Sequence, residues 1–370
     1  MDTLKEMLTG WDGYRRVSRG EEHEERITEA LNLLTNKEGL PAHKHTYLLQ
    51  EALTTSDFPL LFGEILDRQV LASYKDTPQV MPQICRRGTV PDFRTVHRFE
   101  ISGGDERLAE VGEKGEYLAS DRDERKHNYN VKKYGRQFDI SWEALINDDL
   151  GALRDTPTRF GKAARRSEEF FLTSLFWDSA GPLDAYFAGN GGAAAVATTP
   201  LTIANLEIGV AAMAAYTDVG GSPIMNNPKF LMVGPGLAFT ARQILTSATK
   251  MWVSNAAGAP VAFPTNNVIA QIGLELIVNP WIPIICTDHP LTTWALFSDP
   301  SDIPAAEFGH LRGHESPELY MKSSDQVVVG GGLSNPMGGD FATDNIFYKV
   351  RHVFGGVTLS GRAGYASDGA

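Results

Sequence analysis

The chain has 370 residues, 42% of them hydrophobic and 22% charged, with a formal net charge of −12 at pH 7. That length accommodates one large or two moderate domains around an ordinary buried core, and the acidic balance excludes a chain built to grip nucleic acid through a basic face. No run of about 18 apolar residues is present to cross a membrane, the charged N-terminus lacks the apolar stretch of a secretory signal, and two cysteines, Cys85 and Cys286, fit a reducing compartment rather than a disulfide framework.

Residues 1–58 are polar and contain the dense run Glu21-Glu22-His23-Glu24-Glu25-Arg26. Short helices are expected over Asp2–Leu8 and Glu22–Leu34, neither with an apolar face broad enough for a core. The segment reads either as a solvated helix plus loop or as an arm that orders only against another chain. Residues 59–91 connect this arm to a body. Phe62, Ile65, Leu66 and Val70 fit a helical pattern before Tyr74, and Pro78 and Pro82 break any helix beyond it.

Residues 92–136 hold ten Lys and Arg and ten Asp and Glu, with few apolar residues among them. Val96 to Ile101 alternates as an outgoing strand, and Phe138-Asp139-Ile140 reads as the returning one. A two-stranded excursion without an apolar face is marginal alone. It is either a disordered loop or a surface that lies on another copy, because a self-complementary contact needs both signs of charge.

The clearest helix follows. Thr156 is a candidate N-cap with Pro157 at the first helical position, and Phe160, Ala164, Ser167, Phe171 and Leu175 recur at spacings of four, three, four and four. Arg159, Lys162, Arg166 and Glu169 fall on the other side. Pro157 to Trp177 spans about 32 Å at 1.5 Å per residue. The Gly/Ala-rich stretch 189–197 is a flexible connector. Residues 200–330 then alternate helix and strand. Thr202 caps a helix whose Leu206, Val210 and Met213 share a face. Phe230 to Val233 is a buried strand, Leu237 to Thr246 a helix, and Glu275–Val278 and Trp294–Phe297 are strands. Asn345 to His352 is a long strand, with a second short strand after Gly355-Gly356.

Tests for chemistry find no assembled set. His310 and His314 are four apart and His43 and His45 two apart, but the glutamate of a zinc-hydrolase helix is missing beside His310, where Leu311 stands. Gly234-Pro235-Gly236 lacks the Lys-Ser/Thr ending of a phosphate loop, and Gly330-Gly331-Gly332 is a hinge or turn. No nucleophile elbow occurs. Neither cysteine has local support for a Cys/His pair, and Asp148-Asp149 suits a helix entrance.

Four blocks in order carry a resemblance. Ile146-Asn147-Asp148-Asp149-Leu150-Gly151-Ala152-Leu153 resembles the entry to the long spine helix of tailed-phage major capsid proteins with the HK-ninety-seven-like fold, in particular the Mu-like major head subunit branch. Pro228 to Pro235 with Thr240 to Leu245 is similar to the strand-to-helix unit of the axial domain. Trp294 to Pro300, with Pro304, Glu307, Phe308 to Leu311, Gly313 and Pro317, resembles another recurrent block. Tyr348 to His352 with Phe354-Gly355 resembles the returning strand of the peripheral domain.

The resemblance implies an α+β phage major capsid fold. Its parts are an N-terminal arm (1–58), an arm-to-body connection (59–91), an extended loop (92–136), a peripheral domain with the spine helix (137–197 and 331–370) and an axial domain (198–330). It implies a non-enzymatic subunit with no catalytic, cofactor-binding or metal-binding residue. Such a subunit self-assembles into hexamers and pentamers of an icosahedral shell around double-stranded DNA. The implied partners are other copies, a portal protein, a scaffolding protein or maturation protease, and decoration proteins, without sequence-specific DNA binding and without a membrane. The implied location is the virion capsid, with assembly in the bacterial host cytoplasm. Some relatives cross-link a loop lysine to a neighbour's asparagine, and Lys114 is the lysine so placed here; no acceptor asparagine matches. An encapsulin-like nanocompartment shell is the alternative within the same fold. A cytosolic α/β enzyme is the alternative from another class.

Overall fold

Helix α1 (Phe58–Asp76) opens the described part of the chain, where the spacing of Leu66 and Val70 predicts it. The computed structural model describes residues 58–369 except 103–109, 112, 114–116, 118–122, 142, 144–151, 189–194, 219–220, 255–260, 323 and 326–338. The expected helices at Asp2–Leu8 and Glu22–Leu34 lie outside the described residues, as do His43, His45, Lys114, Asp148, Asp149 and Gly330–Gly332. The described chain mixes helix and sheet, the α+β class expected. Its described residues divide into two units, one within 58–78, 133–166 and 313–353, the other within 79–132, 167–312 and 354–369.

In the first unit α1 meets the opening half of α2 (Ala152–Ser174). The crossing is close because Gly161 has no side chain: a Cβ there would lie 2.4 Å from the Val70 carbonyl oxygen. Ser73 Oγ donates to Thr158 O at 2.7 Å. Arg165 Nε donates to Tyr74 O at 2.7 Å, and its guanidinium stacks 3.6 Å from the Tyr74 ring. Strand β4 (Lys132–Ser141) pairs with β12 (Asn345–Thr358), which pairs antiparallel with β11 (Glu318–Met321) from Glu318↔Arg351 to Met321↔Tyr348. Phe138 stacks on Tyr348 at 5.3 Å and meets Phe160 edge-on at 5.1 Å, so alternate residues of β4 and β12 bury one face of this sheet.

In the second unit β1 (Cys85–Val90) runs parallel to β10 (Ala306–Leu311), and β10 runs antiparallel to the Phe354–Thr358 end of β12. A four-stranded sheet has the order β13-β9-β5-β8, formed by Gly364–Ser367, Trp294–Ser298, Pro228–Val233 and Glu275–Val278. Its core includes Leu231, Val233, Trp294 and Leu296, with Leu206 and Met213 of α4 (Ile203–Ala214) packed over them. Thr202 caps α4 as the sequence predicts, its Oγ1 accepting from Asn205 N at 3.2 Å. An aromatic cluster joins Phe176, Trp177, Tyr186, Phe187 and Phe297, with Tyr186 and Phe187 carried on the short helix α3 (Asp184–Phe187). Two ribbons complete the unit: β2 (Val96–Ser102) with β3 (Asp123–Tyr129), and β6 (Thr249–Ser254) with β7 (Val261–Asn266). Helix α5 (Ala238–Thr246) follows β5 through a tight turn at Pro235–Leu237.

Three expectations are corrected. Helix α2 starts at Ala152 and takes Pro157 inside it, so Pro157 costs one backbone bond rather than opening the helix. Its packed side is also rotated: Phe160, Gly161, Ala164, Glu168 and Leu172 are buried while Ser167 is exposed, because the helix has to present Gly161 to α1. Strand β12 does not break at Gly355-Gly356. A Cβ at Gly355 would sit 2.4 Å from Asn130 O, and one at Gly356 2.7 Å from Glu307 O, so these glycines let other backbone cross the strand closely.

Candidate assembly interface

The ribbon of β2 and β3 pairs Val96↔Tyr129 through Ser102↔Asp123. The outgoing strand is the expected one, but the returning strand is Asp123–Tyr129, not Phe138–Ile140, which lies in β4. Asp-Glu-Arg-Lys-His-Asn carries no apolar alternation, so hydrophobic periodicity could not find β3. Strand alternation divides the ribbon into two faces. One carries His97, Phe99, Glu124, Lys126 and Asn128, all exposed, with Phe99 61% exposed. His97 Nδ1 lies 2.6 Å from Asn128 Oδ1, and Lys126 Nζ is 6.0 Å from the Phe99 ring. The other face carries Arg98, Glu100, Arg125, His127 and Tyr129. There His127 Nε2 lies 3.2 Å from Glu100 Oε2.

This second face is fastened at its root to a buried carboxylate. Glu307 of β10 is 2% exposed. Arg98 Nε donates to its two oxygens at 2.7 and 2.9 Å, and Tyr129 Oη donates to Oε1 at 2.6 Å. A buried carboxylate needs a charge partner and hydrogen bonds, and both come from the ribbon. The Glu307 bond raises the pKa of Arg98, while burial, followed by that bond, raises the Tyr129 phenol. Glycines make the room: a Cβ at Gly88 would lie 2.7 Å from Glu307 Oε1, and one at Gly309 2.5 Å from Tyr129 Oη. The arrangement leaves the Phe99 face turned to solvent on a ribbon whose base cannot slide.

Sequence reasoning did not single out this triad. Its one visible sign is an acid in the otherwise apolar stretch Ala305-Ala306-Glu307-Phe308. It also placed Glu169 on the polar side of α2, whereas Glu169 is 5% exposed. Its carboxylate accepts from the backbone N–H groups of Val80 at 2.9 Å and Met81 at 3.1 Å, which have no partner of their own at the start of a turn. Beside it the buried Glu168 accepts from Gln79 Nε2 at 2.7 Å and lies 3.2 Å from His310 Nε2. His314 instead bonds Glu318, which also accepts from Tyr320 and from Arg351 at 2.6 Å.

The remaining candidates for chemistry are built into the fold. Burial pushes both thiols up, Cys85 strongly and Cys286 less so, so neither is a ready thiolate nucleophile at neutral pH. Gly234-Pro235-Gly236 joins β5 to α5 as an ordinary strand-to-helix turn packed against Pro283, Pro290 and Leu291. Among the described residues no helix is long and apolar enough to cross a membrane.

Comparison with known proteins gives one family match: the phage capsid protein family model matches residues 124–367. No curated protein matches the sequence. Among solved structures, the chain is similar to one from Mycobacterium phage Cain (14% identity, 79% of this chain and 90% of that one, TM-score 0.46). It is similar also to one from Gordonia phage Cozz (15% identity, 78% and 85%, TM-score 0.45). A third is the holo-SrpI encapsulin complex from Synechococcus elongatus PCC 7942 (10% identity, 81% and 95%, TM-score 0.44).

Proposed function

The chain belongs to the phage capsid protein family, and from that premise we propose that it assembles into hexamers and pentamers of an icosahedral shell around double-stranded DNA. The protein is a major capsid subunit, a structural component of the virion shell. The single observation that supports the mode of assembly is the β2–β3 ribbon. A two-stranded ribbon is marginal in isolation; this one is held at its root by Glu307 and offers Phe99, His97, Lys126 and Glu124 outward. Mixed charge around an exposed aromatic ring suits a contact with another copy.

In this reading residues 1–58 are the arm, 59–91 its connection and 92–136 the extended loop. Residues 137–197 with 331–370 form the peripheral domain, and 198–330 the axial domain. A portal protein, a scaffolding protein or maturation protease, and decoration proteins complete the particle, which assembles in the host cytoplasm. The net charge of −12 suits a wall that encloses DNA without gripping it, since phosphate attraction requires basic surface. The protein performs no reaction of its own. Nuclease treatment of particles from infected cells, followed by extraction, tests the DNA-enclosing role. Protected genome-length DNA is expected; particles holding protein cargo and no DNA overturn it in favour of a nanocompartment.

A further inference from the structure

The outer face of the β4–β12–β11 sheet carries an open groove of about 460 Å³, lined by Gln137, Tyr320, Lys322, Phe347 and Lys349 among others, with two lysines and no carboxylate in its lining. Both ammonium groups are held over aromatic rings, Lys322 Nζ 5.3 Å from the Phe347 centroid and Lys349 Nζ 5.3 Å from that of Tyr320. Lys322 bonds Asp340 at 2.6 Å, and Arg351 at the groove's edge bonds Glu318. Among the described residues no carboxylate pairs with Lys349. A positioned cation on an aromatic floor is half of an ionic contact.

The other half is written in the same chain. Residues 21–25 carry four glutamates in five positions, a dense anionic run complementary in charge to the groove's lysines. The run is joined to this sheet through α1, which begins at Phe58. Helix α1 is fastened to this sheet, Asp67 Oδ1 accepting from Leu319 N at 3.3 Å. The chain between Glu25 and Phe58, fully extended, spans on the order of 110 Å, ample to cross the sheet of its own or an adjacent copy. We propose that this groove is the docking site for the acidic run Glu21–Glu25. The inference goes beyond the shell-forming role proposed above, and its test reads the contact itself rather than whether shells close.

Zero-length carbodiimide coupling of the purified full-length protein, read by peptide mass spectrometry, tests it. The expected product links Lys349 to the peptide containing Glu21–Glu25. It should fall at least tenfold when Glu21, Glu22, Glu24 and Glu25 are all changed to Gln, with acetylation of Lys349 becoming several-fold faster. The Lys322–Asp340 pair (2.6 Å) and the Lys229–Asp299 pair (2.7 Å) serve as internal controls for the chemistry. Links at both controls with none from Lys349 to residues 21–25 overturn the proposal. So does protection of Lys349 by added duplex DNA in wild type and variant alike, which would assign the groove to phosphate.

Discussion

Replacing Tyr129 by phenylalanine deletes a 2.6 Å hydrogen bond to a carboxylate that water cannot reach. Bonds to buried charged groups are worth about 1.5–3 kcal/mol, so the urea midpoint of unassembled protein should fall by that equivalent. Arg98→Ala removes the charge partner, but Arg98 is 37% exposed, so screening reduces its loss to about 1–2 kcal/mol. Unchanged midpoints in both variants would mean that Glu307 does not anchor the ribbon. Glu318 gives a pH-dependent counterpart. Burial pushes its carboxyl up, yet donation from Tyr320, His314 and Arg351 outweighs burial and leaves the pKa lowered. A carboxyl lowered in the folded state stabilises above the unfolded value of about 4.3, and that stability is lost as pH falls through the folded value. Stability of the wild type should therefore decline on acidification below about pH 5, and Glu318→Gln should flatten that decline. An identical acid limb in the variant contradicts the assignment.

At the scale of elements, α2 tests which side of a helix is packed. The repeat Phe160, Ala164, Ser167, Phe171, Leu175 makes the helix legible but misplaces its face, since Ser167 is exposed and Leu172 is fully buried. Hydrophobic spacing could not see Gly161 at a helix crossing, nor Glu168 and Glu169 buried as hydrogen-bond acceptors, because all three read as surface or breaker residues. Leu172→Ala should cost about 2–5 kcal/mol, and Ser167→Asp should stay within about 0.5 kcal/mol, both read from denaturation midpoints. The reverse order would restore the face expected from sequence. Elsewhere legibility follows the same physics. Thr202 and the run Leu206, Val210, Met213 predict α4 because cap and face agree, and Phe230–Val233 predicts β5 because it is wholly apolar. The polar β3 carries no such signal. At Gly355-Gly356 the reason for the glycines is the backbone crossing them, which no local pattern encodes.

For the whole molecule, four sequence blocks in order carry the resemblance to the capsid family that the family match over residues 124–367 shows, while the anchoring of the ribbon becomes visible only when Arg98, Tyr129 and Glu307 are brought together from three distant stretches of sequence. The ribbon's outward face then becomes the natural place for one copy to hold another. Each exposed charge pair across such a contact is worth about 0–1 kcal/mol, a small quantity that repetition around a closed shell multiplies. The most direct measurement is negative-stain electron microscopy of the purified protein beside the double variant Phe99→Asp, Lys126→Glu, which changes the outward face and leaves the Arg98, Tyr129 and Glu307 anchor in place. The account predicts closed shells from the wild type and folded, soluble subunits that do not close from the variant. Monomers from the wild type, or normal shells from the variant, would contradict it.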